Sequence, residues 1–412
     1  MYLCILKKIY IMTENDVQVI RNVYLKLYKN TQMAFKRYLH NKVNWDARLI
    51  GIKGMRGVGK TTMLLQHIKE TFAKPEEAFY VSLDHFWFQT NSLPNLADYL
   101  YTHGVRHLYL DEVHKYPNWS IIIKNLYDTY DDLTIVYTGS SMLEIDNSKA
   151  DLSRRQTMYT LEGMSFREYL AFTRTLEVDA VPLEKLLTDH LPIAMNITEG
   201  RSILPIFEKY LRQGYYPFAK EAGRDYHIRL TEVANLVIES DMPAVEGVSY
   251  TTIQKTKQLL MVIAQNVPLV PNISQLCSQL GTTRDSCLKM LYSLDKAGLL
   301  SMLTKQPKDY KHLVSPEKIF LNNGNLMYAL TSEVNVGTLR ETFFLNQCNT
   351  VATVTMPKKG DFALDGRYLF EVGGKGKTFQ QIADEPNSYL AVDGIEMGSS
   401  NRIPLWMFGL LY

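Results

Sequence analysis

The chain has 412 residues, enough for two or three domains at roughly 150 residues each. Its 45 Lys and Arg stand against 43 Asp and Glu, and the formal charge of +2 excludes a histone-like polycation and an acidic-tail protein. Hydrophobic residues at 46%, charged residues at 21%, and only 23 Gly and 15 Pro exclude wholesale disorder and a collagenous chain.

The first predicted element follows an apolar stretch, Met1 to Met12, which Lys7 and Lys8 interrupt and which lacks a small-residue cleavage site, so it does not fit a secretory signal. A polar helix start, Thr13-Glu14-Asn15-Asp16, comes directly after Met12. Two alternatives stand equally: residues 1–11 belong to the protein, or they are the product of an upstream start codon. No later stretch approaches the ~18 apolar residues of a membrane span, and no membrane partner is expected. Cys4, Cys277, Cys287 and Cys348 are scattered without a CxxC pair, so neither a disulfide nor a zinc site is expected, in keeping with a reducing cytoplasm.

Residues 1–31 are set apart as an N-terminal segment, and residues 32–161 are expected to form an α/β core. Within it, apolar runs at 49–53, 79–83, 107–110, 133–137 and 157–161 alternate with helical patterns, which predicts a parallel sheet covered by helices. Between the first run and a helical pattern at 61–70 lies Gly54-Met55-Arg56-Gly57-Val58-Gly59-Lys60-Thr61, a match to the phosphate loop G-x-x-x-x-G-K-[ST]. A chance match in a chain of this composition has a probability of roughly 0.01. Glycines let successive N–H groups face phosphate oxygens, and the helix N-terminus adds a favourable dipole. The residues expected to hold the nucleotide are Gly54, Gly57, Val58, Gly59, Lys60, Thr61 and Thr62. Lys60 would neutralise β/γ phosphates, and the Thr61 hydroxyl would face Mg²⁺.

The run at 107–110 ends in Asp111-Glu112, two acids at the carboxyl edge of the sheet. Asp111 is expected to reach the metal, and Glu112 to act as the base that polarises the attacking water. His114 just beyond is expected at the surface rather than as a ligand. The run at 133–137 leads into Thr138-Gly139-Ser140-Ser141, hydroxyl residues that would orient water or contact the γ-phosphate, or else form only a turn. Arg154 and Arg155 precede the last run. One of them would stabilise transition-state charge in its own subunit or a neighbour's, or the two are a solvated surface pair.

These motifs, with Tyr109-Leu110-Asp111-Glu112-Val113-His114-Lys115-Tyr116-Pro117-Asn118-Trp119 and Gly163-Met164-Ser165-Phe166-Arg167-Glu168-Tyr169-Leu170, together resemble a prokaryotic AAA-type P-loop ATPase family. Its members are relatives of the archaeal ATPases and carry a C-terminal domain of unknown function with a restriction-endonuclease-like core. The resemblance runs from about Gln32 to Tyr412. It implies ATP as the nucleotide, Ser140 or Ser141 as sensor, and an arginine before the last strand. The family usually has Gly-Arg there, whereas this chain has Arg154-Arg155.

From 162 to 250 the pattern is mostly helical, with breaks at Pro192, Pro205 and 214–217, and is expected to form a helical lid. Residues 251–310 contain three helical patterns, of which two, 273–280 and 284–297, flank Gly281-Thr282-Thr283 and are followed by Gly298 and a strand, the grammar of a winged helix-turn-helix. Core spacing in the second helix falls on Cys287, Leu288, Leu291 and Leu294, leaving Arg284, Asp285, Lys289, Tyr292 and Lys296 to other faces. Arg284 and Lys289 would contact duplex DNA, although such modules also dock proteins.

The last block, 311–412, has a helix carrying Glu341 and strands at 350–355, 362–364 and 367–372, with Asp361 and Glu371 at neighbouring strand ends. The three acids resemble the PD-(D/E)XK nuclease core, in which a lysine two residues past the second strand acid activates water. Gly373 stands there instead. Lys375 is the expected substitute, with Lys377 as an alternative, and a tail that binds without cleaving is expected over an ATP-regulated nuclease. The whole is expected to be an α/β ATPase with a P-loop NTPase sheet, helical lid, winged helix and small restriction-endonuclease-like domain. It would use ATP and Mg²⁺ as a switch or motor, with duplex DNA and further copies of itself as partners, or hold ATP without hydrolysis as a scaffold.

Overall fold

A computed structural model describes residues 12–140, 152–242, 249–306 and 313–412, so the alternatives for residues 1–11 and for Ser141 lie outside it. The chain forms two compact units. The first extends to Leu161, except for the loop tip Met55–Gly59, which groups with the second unit, Glu162–Tyr412.

The first unit is built on five strands: β1 (Leu49–Lys53), β2 (Ala78–Ser82), β3 (His107–Asp111), β4 (Thr134–Gly139) and β5 (Thr157–Thr160). Their order is β2-β3-β4-β1-β5 and every pairing is parallel, with Ile52 opposite Thr138 and Ser82 opposite Asp111. Parallel neighbours need crossovers, and helices α2 (Lys60–Thr71), α3 (Leu93–Thr102) and α4 (Trp119–Thr129) supply them. This is why the inner strands read as unbroken apolar runs rather than alternating ones: Leu49, Ile50, Ile52, Leu108, Leu110, Ile135 and Val136 are all buried. Helix α1 (Glu14–Asn30), opened by a Thr13–Asp16 capping box, belongs to this unit. It buries Val17, Ile20 and Tyr24; Tyr24 donates to the Pro75 carbonyl (2.8 Å), and the Trp87 indole donates to the Asp16 carbonyl (2.7 Å).

One buried contact in this unit is expected to make it acid-sensitive. His67 on α2 stacks on Trp45 with ring centroids 3.8 Å apart, and burial, reinforced by nearby His40, lowers its pKa to about 4. Below its ordinary value near 6.5 the unfolded chain takes up a proton that the folded chain refuses until about pH 4. Stability is therefore expected to fall between those limits. Acidification from pH 7 to 5 should cost about 2 kcal/mol through this one side chain, read as urea midpoints, and His67→Phe, which keeps the stack, should flatten the dependence.

The second unit begins with helices Phe166–Phe172, Leu183–Thr198, Leu204–Gln213 and Tyr226–Leu236. Pro205 opens its helix, and Leu183–Thr198 consists of two helical stretches joined across a kink three residues before Pro192, in keeping with the break expected there. Asp189 leaves helical geometry (φ −117°, ψ 18°) and absorbs the kink that the proline ring imposes on the preceding turn. Helices Tyr250–Asn266, Ile273–Leu280 and Arg284–Lys296 follow, then β6 (Leu300–Leu303) paired antiparallel with β7 (Lys318–Leu321). After helices Gly324–Leu330 and Val336–Cys348 comes a mixed sheet in the order β12-β11-β10-β9-β8: β8 (Val354–Thr355), β9 (Phe362–Leu364), β10 (Tyr368–Gly373), β11 (Ser388–Val392) and β12 (Arg402–Pro404). The strand expected over 350–355 is only two residues long, because turns off the helix end take up the residues before it, with the Val351 and Ala352 N–H groups both donating to the Cys348 carbonyl. Its aromatic core joins Phe344 to Phe362, Phe370 and Phe408. Among the described residues no helix is long and apolar enough to cross a membrane.

Candidate functional site

The chain leaves β1 at Lys53 and enters α2 at Lys60 through the glycine-rich loop. Gly57 (φ +80°) and Gly59 (φ +98°) take backbone conformations that side chains disfavour, so two of the motif's glycines are required by geometry. Lys60 is buried, and its ammonium donates to the Gly54 carbonyl at 2.9 Å, which holds the charge across the mouth of the loop. The Thr61 hydroxyl donates to Asp111 Oδ2 at 2.5 Å. Val58 is buried, and Thr62 is exposed on the first turn of α2.

Asp111, at the end of β3, is 1% exposed. A buried carboxylate is costly without donors, and four are present. Tyr80 from β2 donates to Oδ2 at 2.8 Å, alongside Thr61; Thr138 from β4 donates to Oδ1; the Glu112 N–H donates to Oδ1 at 3.1 Å. Burial and then the Asp111 charge push the Tyr80 phenol up, so it remains a donor. Side chains from β2 and β4 thus converge on a carboxylate at the end of the strand between them. Thr61 and Asp111 form an all-oxygen pair that suits a hard cation such as Mg²⁺, which takes one or two protein oxygens and fills the rest with phosphate and water. Among the described residues no trio of His, Cys, Asp or Glu is placed to hold a metal by itself.

Glu112 follows in left-handed backbone (φ 52°, ψ 41°), a conformation that costs about 1 kcal/mol or more for a residue with a side chain. This turn lays its carboxylate against β4: Ser140 Oγ donates to Glu112 Oε2 at 2.9 Å. His114 stands beside the pair, Nδ1 3.4 Å from the same Oε2 and Nε2 3.5 Å from Ser140 Oγ. The surface position expected for His114 is therefore corrected. The reversal at Glu112 sends the short turn Val113–Lys115 inward and buries the imidazole completely. Neither periodicity nor motif signals this, because it depends on one left-handed residue.

Arg155 makes a two-point ion pair with Asp128 (2.8 and 3.0 Å), and Arg154 is exposed. Within the second unit, Arg56 of the loop tip pairs with Asp241 through two bonds (3.2 and 3.0 Å), a contact between residues too distant in sequence for any motif to reveal.

Two further candidate sites lie in the second unit. Thr283 caps helix Arg284–Lys296 by accepting from the Ser286 N–H, and Gly281 ends the preceding helix in left-handed geometry (φ +54°). Arg284 and Lys289 are exposed on this helix. Tyr292, assigned to an outer face, is instead buried and donates to the carbonyl of Val314 (2.9 Å), which lies against it ahead of β7.

Glu341, Asp361 and Glu371 are placed on the helix Val336–Cys348, directly before β9 and within β10. The expected lysine is corrected. Lys377, not Lys375, meets the acids, its Nζ 2.9 Å from Glu371 Oε2 and 3.9 Å from Asp361 Oδ2. A tight turn, with the Lys377 N–H donating to the Gly374 carbonyl (2.9 Å), brings position 377 back and leaves Lys375 alongside Gly394. Gly373 is needed here, since a Cβ on it would come within 2.9 Å of Lys377. Glu341 pairs with Lys318 at 3.2 Å; burial raises its pKa while that lysine opposes the rise.

Residues 46–170 match a protein family described as an AAA domain. An uncharacterized protein of Methanocaldococcus jannaschii, MJ1637, is 27% identical over 399 residues, covering 89% of this chain and 83% of the relative. Among solved structures, the Walker-type ATPase PABY2304 of Pyrococcus abyssi is 12% identical with a TM-score of 0.38, covering 72% of this chain and 95% of that one. AMPPCP-bound DnaA from Aquifex aeolicus is 14% identical with a TM-score of 0.25, covering 70% and 90%. The phosphate loop between β1 and α2, the acids ending β3 and the parallel order β2-β3-β4-β1-β5 have the P-loop NTPase arrangement, and all lie within the residues, 46–170, that match the AAA domain.

Proposed function

We propose that the protein binds ATP with Mg²⁺ and hydrolyses it, acting as a switch or motor on a macromolecule, with DNA the favoured substrate. The observation that carries this is the meeting of Thr61, Asp111, Glu112 and Ser140 at one edge of the sheet through hydrogen bonds of 2.5–3.1 Å, with Lys60, next to Thr61 in the chain, donating to the Gly54 carbonyl of the loop (2.9 Å). Lys60 would bind the β/γ phosphates. Thr61 and Asp111 would hold Mg²⁺, which when bound supplies positive charge to the phosphates. Glu112 would take a proton from the attacking water as the γ-phosphoryl group leaves, and Ser140 would sense that group. Arg155 is engaged by Asp128, which favours Arg154 as the arginine that reaches a nucleotide, including one held by another copy. The test is steady-state phosphate release from ATP: turnover that depends on Mg²⁺ supports the reading, and bound ATP without turnover leaves a scaffold.

The helices flanking Gly281 and the antiparallel pair β6–β7 are read as a winged helix that touches duplex DNA through Arg284 and Lys289. Replacing both by Ala is expected to weaken duplex binding and to lower the slope of log affinity against log salt by about 2, one for each phosphate contact. Fluorescence anisotropy at several salt concentrations measures this; an unchanged slope makes the helix a protein-docking element. The domain after residue 310 is read as a binding domain with a nuclease-like core, its acids compensated by Lys318 and Lys377. A cytoplasmic setting suits all of these roles.

A further inference from the structure

The buried imidazole of His114 has no place in the reading above, yet it lies along the bond between the two residues given the roles of base and sensor. We infer that His114 is a positioning residue for Glu112, and this rests on the ATPase reading. Three contacts link these side chains: a hydrogen bond from Ser140 Oγ to Glu112 Oε2 (2.9 Å), His114 Nε2 3.5 Å from Ser140 Oγ, and His114 Nδ1 3.4 Å from the same Oε2, within ion-pair distance but outside hydrogen-bond geometry. Both contacts to the carboxylate fall on one oxygen. A carboxylate held by Oε2 alone presents Oε1 to its surroundings, and the Glu112 side chain retains 19% exposure, enough to meet a water. The His114 side chain is wholly buried, so its ring is fixed by the core and can fix what it touches.

A general base works only if its lone pair faces the water, and a displacement of about 1 Å can cost as much as 10²-fold in rate. Glu112 especially needs such support. Its left-handed backbone gives the side chain a starting direction, but two rotatable bonds and a mobile terminal carboxylate remain. Ser140 alone cannot hold it throughout turnover, because the same hydroxyl is called on by the γ-phosphate. When Ser140 turns to the phosphate, Nδ1 of His114 is the contact left on Oε2. The third member therefore keeps the base aimed during the step in which the sensor is engaged elsewhere, the base-and-orienter relation found in other activated-water and nucleophile sites.

The experiment compares His114→Leu, which fills the space without a polar atom, and His114→Asn, whose amide nitrogen can stand near the position of Nδ1. Each is made in the parent and in Glu112→Gln, and steady-state ATP hydrolysis is measured with thermal midpoint and affinity for a fluorescent ATP analogue. His114→Leu is expected to lower kcat ~10-fold or more with KM and analogue affinity within about twofold of the parent, and His114→Asn to recover most of the loss. In the Glu112→Gln background His114→Leu should cost nothing further, since no base remains to be aimed. Four results would overturn the inference: parental kcat in His114→Leu, an equal loss in both backgrounds, a loss that appears as analogue affinity, or failure of both His114 variants to fold, which would make the residue purely structural. A parent that binds but does not hydrolyse ATP would remove the ATPase reading and this inference with it. An active parent silenced by Glu112→Gln but indifferent to His114→Leu would remove this inference alone.

Discussion

Glu112→Gln is expected to keep full affinity for ATP while slowing phosphate release by ~10²-fold or more. The amide has nearly the shape of the carboxylate, keeps an oxygen to accept from Ser140, and leaves the left-handed backbone untouched. What it lacks is basicity, so the attacking water keeps its proton and the nucleophile is a neutral molecule. Binding is expected to hold, because on the proposed reading the ligand's phosphates would meet Lys60 and loop amides rather than this side chain. The measurement is phosphate release at saturating ATP beside equilibrium titration of an ATP analogue. Equal turnover in variant and parent would remove Glu112 as the base, and a loss of affinity would make it a binding residue.

Lys60→Ala acts one step earlier, and the expected result is a 10- to 100-fold loss of ATP affinity. A hydrogen bond to a charged group contributes about 1.5–3 kcal/mol, and each 1.4 kcal/mol is a factor of ten. Lys60 is the motif's own cation, buried at the start of α2 and already directed across the loop to the Gly54 carbonyl. No neighbour replaces it readily: Arg56 is held by Asp241 through two hydrogen bonds. Calorimetric titration with a slowly hydrolysed ATP analogue measures the loss, and unchanged affinity would place the phosphates elsewhere.

Much of this site was legible before the fold was known. The phosphate loop is a local device, a glycine-rich strand-to-helix turn, and a local device is written in consecutive residues. Asp111 and Glu112 were legible for the same reason, as acids ending a strand. What the sequence hid was every relation set by backbone reversal or by distance along the chain. Tyr80 and Thr138 converge on Asp111 only because β2, β3 and β4 are neighbours, which the order of runs along the chain does not dictate. His114 is inside because Glu112 is left-handed, and Tyr292 is inside where it meets a carbonyl more than 20 residues later. Arg154 and Arg155 are indistinguishable as text, and an ion pair with Asp128 separates them.

The turn that carries Lys377 to Glu371 bears on how this chain tolerates changes in length. Surface loops usually accept insertions and deletions, since their ends are anchored and their middles are not. Here the count of residues between Gly373 and Lys377 selects which side chain arrives at a carboxylate that is 1% exposed. The segment reads Gly373-Gly374-Lys375-Gly376-Lys377, with lysine and glycine alternating. Deleting one residue from the turn would deliver a side chain of the wrong register and leave a buried anion without its ammonium. Deleting two would bring Phe379 to the place that Lys377 now holds. Relatives with a different number of residues here would need a cation from another element, and length at this turn is a sharper marker of the site's integrity than the presence of a lysine.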